Sequence, residues 1–258
     1  MRIYTLCTSS HSVFRDEWFL PTVSALQDKF ELMVTADSSL PDGAIYGTKD
    51  FNRLMKTKVD LLVDAIRDCW GQVFIYSDSD VQFFRPILED VVQLIGDKDL
   101  LVQRDSPQGH LCAGFMILRA DWPLLNLFQE IKQKLALNSL IDDQAALNIE
   151  LMKDGVGGDA QGMPYDQLVT VAYHRAGEAY KELPHIANRF GVRWNYLPSS
   201  FFGGGTESGK AWKPGDEIAL PDDAAMHHAN WTEGNENKIA QLRYVRQRYE
   251  ARFAHAVN

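Results

Sequence analysis

Cysteine is scarce: Cys7, Cys69 and Cys112 are the three in 258 residues, with no CxxC pair, so neither a disulfide framework nor a zinc ribbon is written here. In apolar contexts they read as reduced thiols of an intracellular, cytoplasmic protein. No run approaches the roughly 20 apolar residues of a membrane span, and the opening MRIYTLCTSSHSVF lacks the apolar stretch of a secretion signal. Positive charge is short as well. Against 35 Asp and Glu stand 26 Lys and Arg, a net charge of -9 that repels a nucleic-acid backbone. A small anionic substrate therefore needs a local cation or a few placed lysines, because the overall field opposes it. Repeats and low-complexity linkers are also missing. With 45% hydrophobic residues, the chain is expected to form one compact domain.

What is present is an α/β rhythm. RIYTLCT reads as a strand, a helix follows over about 17 to 30, and FELMVTA reads as a second strand. Leu54, Leu61, Leu62, Ala65 and Ile66 recur at helical spacing and stop at Gly71, after which QVFIYS reads as a buried strand. DLLVQRD and CAGFMILRA are further strands, and Asp121 with Pro123 opens a helix. IDDQAALNIELM is another helix, whereas DGVGGDAQG and FFGGGTESG read as glycine-rich loops, the latter as a mobile lid or a flexible surface loop. A soft division falls near Ala120.

The chemistry concentrates where QVFIYS runs into Asp78-Ser79-Asp80. Acids at the carboxyl end of a strand in an open sheet lie where such folds bind ligands, and oxygen ligands suit Mg2+ or Mn2+ better than zinc. Aspartate and serine are also ordinary turn residues. What separates the readings is the flanking VFIY and VQFFRP, since burying two acids there is costly without a compensating cation. Far along the chain, HHANWTEGNENK offers His227 or His228 as a nitrogen ligand and Lys238 as a phosphate contact, or else a surface loop opening a helix. Lys58 sits on the apolar seam of its helix, where it either snorkels to solvent or meets a phosphate, and Lys56 competes with it. Asp142, Asp143 and Gln144 open a helix, where acids serve as caps; a carboxylate beside an amide also suits sugar recognition.

In order, FNRLMKTK, VFIYSDSDVQFFRP, CAGFMILRA, DDQAALN and HHANW resemble the retaining GT-A glycosyltransferases, over about residues 45 to 240. The likeness is to the nucleotide-diphospho-sugar transferase group that includes plant and algal xylosyl- and arabinosyl-type enzymes, glycosyltransferase family 77. It implies one GT-A domain with a mixed, mostly parallel sheet: a nucleotide-binding half over about 1 to 120, and a half over about 121 to 258 for acceptor and donor sugar. It further implies Mn2+ or Mg2+ on Asp78, Asp80 and His228, and a nucleotide-diphosphate sugar, UDP-linked, contacted by Thr8, Lys58, Ser79, Gly114, Asn230 and Lys238. Asp142, Asp143 and Gln144 would be the catalytic segment, and a hydroxyl-bearing acceptor the second substrate.

Other readings use the same acids. A haloacid-dehalogenase-like phosphatase would make Asp78 its nucleophile and use the GDKD at 96–99, although its acidic pair usually follows the first strand. A calcium loop starting at Asp78 needs glycine where Phe83 stands. A nucleotide-sugar-binding protein without transfer activity shares every feature named.

Overall fold

The computed structural model describes residues 1–26, 29–36, 48–138, 141–152, 183–185 and 187–253. DGVGGDAQG lies outside them. A six-stranded sheet runs in the order β2-β1-β3-β6-β5-β7. Its strands are β1 (Arg2–Cys7), β2 (Glu31–Ala36), β3 (Val73–Ser77), β5 (Leu100–Arg104), β6 (Leu111–Arg119) and β7 (Trp194–Tyr196). All run parallel except β6, which lies antiparallel between β3 and β5. A second sheet, β4 (Val81–Phe83), β9 (Met226–His228) and β8 (Phe201–Gly203), packs beside it. This is the mixed, mostly parallel α/β architecture expected.

Alternation along the strands builds two apolar layers. Phe74, Tyr76, Leu100, Val102, Met116 and Leu118 face helices α3 (Lys49–Asp68), α5 (Trp122–Leu137) and α6 (Asp143–Met152). Ile75, Leu101, Phe115 and Ile117 face the opposite way, onto α4 (Leu88–Ile95) and the small sheet. Asp121 caps α5 by accepting from Leu124 N–H at 3.0 Å, with Pro123 in the first turn. The three cysteines are buried and free.

Two expectations need correction. The helix placed over 17 to 30 starts and ends earlier, as α1 (Ser12–Phe14), a π turn at Arg15–Phe19 and α2 (Leu20–Ala25). Pro21 has no N–H for the carbonyl of Glu17, and the chain widens just before it, with Leu20 N–H reaching back to the Arg15 carbonyl. The glycine-rich FFGGGTESG is a loop only in part, a turn over 204–208 that begins buried and reaches the surface at Glu207 and Ser208. Its first residues form β8, and Gly203, Gly204 and Gly205 lie packed under other side chains. A Cβ on Gly204 would stand 2.4 Å from Gln241 Nε2, and one on Gly205 2.3 Å from the Trp231 ring. The chain also recrosses the division near Ala120, since β7 pairs with β5, and β9 with β4. Among the described residues no helix is long and apolar enough to cross a membrane.

Candidate metal and nucleotide site

β3 stops at Ser77, and Asp78 N–H donates to the Gly114 carbonyl of β6 at 2.7 Å. The chain then bends, and Asp80 enters β4 opposite β9, its carbonyl accepting from Ala229 N–H. In that register Val81 faces His228. The imidazole Nε2 consequently stands 3.2 Å from Asp80 Oδ1, and ligand atoms of Asp78, Asp80 and His228 all lie within 4.8 Å of one another. Gly114 makes the room: a Cβ there would meet His228 Cε1 at 2.2 Å and Asp78 Oδ2 at 2.9 Å.

Hydrogen bonding sets the histidine's orientation. Gln103 Nε2 donates to the Phe201 carbonyl, so its Oε1 is left as an acceptor, 3.1 Å from His228 Nδ1. With Nδ1 turned to Gln103, His228 points Nε2 toward Asp80, where it either ligates a cation or carries a proton of its own. Two carboxylates and one imidazole are a donor set that could hold a divalent cation, so the residues fit the metal implied by the resemblance. His227 faces away, against the Phe202 ring and Gln82. Burial, with His228 beside it, pushes its pKa down to about 3.

Two lysines flank the acids. Lys58 does not snorkel: its side chain is 5% exposed, with Nζ 2.9 Å from Asp143 Oδ2 and 3.2 Å from Asp78 Oδ1, over the Tyr76 ring. The helix seam was legible, but the acids that compensate the charge come from other segments. Burial alone would lower the Lys58 pKa, yet Asp143 and Asp78 hold it well above the usual lysine value. Lys238, in the first turn of α7 (Asn235–Phe253), places Nζ 2.5 Å from Asp80 Oδ2. Burial favours the neutral acid at Asp80, but Lys238 and His228 keep it well below the usual carboxylate range.

A cavity of about 850 Å3 opens over this cluster, large enough for a nucleotide sugar. Thr8, Lys58, Asp78, Ser79, Asp80 and Lys238 line it. Of the remaining expected residues, Gly114 lies behind Asp78, while Asn230, Asp142, Asp143 and Gln144 stand outside the cavity wall. Asp142 caps α6 by accepting from Ala145 N–H at 2.6 Å, and Asp143 reaches Lys58. Gln144 accepts from Ala113 N–H and donates to Asp105 Oδ2. Asn230 donates to Asp105 Oδ1 and accepts from Gly205 N–H.

Asp105, Gln103, Tyr76 and His11 went unremarked in the sequence. Asp105 follows buried β5 as Asp78 follows β3, the same acid-after-strand signal, and burial raises its pKa. Tyr76 donates to Asp78 Oδ1 at 2.8 Å, and His11 lines the cavity with Nδ1 2.9 Å from Thr8 Oγ1. The phosphatase's later acid is misplaced. Asp99 sits at the other end of β5 from Asp105, paired with Arg193 at 2.6 Å.

A mixed, mostly parallel sheet with flanking helices and an acidic turn at its strand ends is the architecture of the GT-A fold. Over residues 20–242 the chain matches the family described as nucleotide-diphospho-sugar transferase, and it belongs to that family. Among solved structures it is similar to a glycosyltransferase involved in the glycosylation of the major capsid of PBCV-1, at 10% identity and a TM-score of 0.50, over 93% of this chain and 98% of the other. That likeness shows the fold. No curated protein matches the sequence.

Proposed function

We propose that the chain transfers a hexose or pentose from a nucleotide-diphosphate sugar, UDP-linked, to an acceptor hydroxyl, with retention of anomeric configuration. The observation that carries this reading is that Asp78 and Asp80, in the turn between β3 and β4, meet His228 of β9 beneath the cavity. Asp78, Asp80 and His228 would hold Mn2+ or Mg2+, which would supply Lewis-acid charge to the leaving diphosphate.

The chain's own groups do the rest. Lys238 and the amino-terminal end of α7 add positive potential for the phosphates, and Thr8, Ser79 and His11 line the nucleoside side. Gly114 lets backbone approach closely. Asp143 acts through Lys58, holding its ammonium beside Asp78, while Asp105 holds the amides of Gln144 and Asn230 behind the donor-sugar side. Asp142 serves the helix as its cap. Retention is supported by the ordered motifs alone.

The test is Mn2+-dependent release of UDP or GDP from a panel of nucleotide sugars, with the product anomer read by NMR. Asp80→Asn should reduce release by more than about 100-fold with the fold intact, beyond what loss of an outer-shell partner costs. Failure of every nucleotide sugar to bind with Mn2+ or Mg2+ present would sink the proposal.

A further inference from the structure

The two lysines are held very differently. Lys58 is enclosed between Asp143, Asp78 and the Tyr76 ring, with its side chain 5% exposed. Lys238 is 23% exposed on the rim of the cavity, and its ammonium rests on Asp80. Asp80 is thus shared: Oδ1 faces His228 and Oδ2 faces Lys238. A bare divalent cation taken up by Asp78, Asp80 and His228 would stand beside the Lys238 ammonium on the same carboxylate, a like-charge contact in a poorly hydrated place. A cation arriving with a diphosphate brings negative oxygens, to which Lys238, on a flexible four-carbon stem, can turn.

Resting on the function proposed above, we infer that Lys238 exchanges partners, leaving Asp80 for a diphosphate oxygen, so that the site takes cation and diphosphate as one chelated unit and discriminates against the bare cation. Lys238 is then the residue that couples the two ligands. Lys58 stays in place throughout and keeps Asp78 oriented. The two roles an ammonium on Asp80 can play predict opposite signs. If Lys238 merely orients Asp80 for the metal, its removal weakens metal binding. If it competes with the metal, its removal strengthens binding of the metal alone and weakens binding of the nucleotide.

The experiment is calorimetric titration of the full chain with MnCl2 alone, and again in saturating UDP, GDP or inorganic pyrophosphate, for wild type, Lys238→Met and Lys238→Arg. Melting curves establish that each variant is folded. Wild type should bind Mn2+ roughly 5- to 150-fold more tightly with the diphosphate present, the usual span of coupling between two ligands. Lys238→Met should bind Mn2+ alone more tightly than wild type, bind the diphosphate less tightly, and show a smaller coupling, whereas Lys238→Arg should retain it in full. Parallel loss of Mn2+ affinity in Lys238→Met, or coupling of unchanged size, overturns the exchange. Binding of neither UDP nor GDP by the wild-type chain brings down the proposed function, and the exchange with it. Nucleotide binding without coupling removes the exchange alone.

Discussion

In the six-stranded sheet, β1, β3, β5 and β6 send alternate side chains into two apolar layers, and the helices that cover them contribute leucine, isoleucine and valine. In the three-stranded sheet each strand has three residues, and polar side chains knit it to α7. Gln82 donates to the Leu242 carbonyl and accepts from Arg246, which also donates to the Phe83 carbonyl; Gln241 donates to Thr232. Apolar burial is non-directional and roughly proportional to area, whereas hydrogen bonds are directional and add little net stability each. The large sheet therefore supplies most of the stability, and the small one supplies the orientation of His228. The site sits on the seam, where Gly114 of one sheet meets His228 of the other.

Ile66→Ala probes the large sheet's side. Ile66 is fully buried in the α3 layer, and the substitution should cost about 2–5 kcal/mol in urea unfolding while the folded protein binds Mn2+ and UDP as before. Lost binding without lost stability would break the contrast. Gly114→Ala probes the seam. Its Cβ displaces His228, so it should cost about 1–3 kcal/mol and also remove Mn2+-dependent UDP binding, as calorimetry and melting curves together will show.

The small sheet has a pH signature. His227 titrates near 3 when folded and near 6.5 when exposed, so its contribution is complete above about pH 6.5. As pH falls toward 3 the unfolded chain takes up a proton that the buried ring refuses, and stability drops by about 1.4 kcal/mol per unit. His227→Gln should flatten that slope between pH 6.5 and 5; an unchanged slope assigns the titration elsewhere. Smallest is Asp105→Asn. One amide oxygen cannot replace a carboxylate that accepts from both Gln144 and Asn230, and the loss of about 1 kcal/mol should fall on kcat, with donor KM and melting temperature nearly unchanged. An equal fall in stability would make Asp105 a purely structural acid.

The large sheet was readable because its strands are apolar and bounded, and because Asp78 follows one of them directly. Lys58 could be placed on its helix seam, but not matched to Asp143, 85 residues further on, because pairing across segments leaves no local periodicity. The same holds for Gln103, whose bond to His228 spans 125 residues. Gly203 to Gly205 looked like a loop, since glycine signals backbone freedom and close packing with the same letter; here the second applies. Asp105 carried the same signal as Asp78 but stood as a single acid, without a neighbour to draw notice.

The seam also gives the site a history. Asp80 and Lys238 are 158 residues apart, so the acidic turn emerges during synthesis long before the segment that completes it. Closing so long a loop adds only a slowly growing entropic cost, but such non-local pairings form late in folding. Until β9 docks on β4 the chain carries a pair of carboxylates without its histidine, and the group proposed to hold the cation is incomplete. Nucleotide binding therefore doubles as a report that the last strand has arrived, and any variant that stalls before that step will be silent to ligand even with the large sheet already formed.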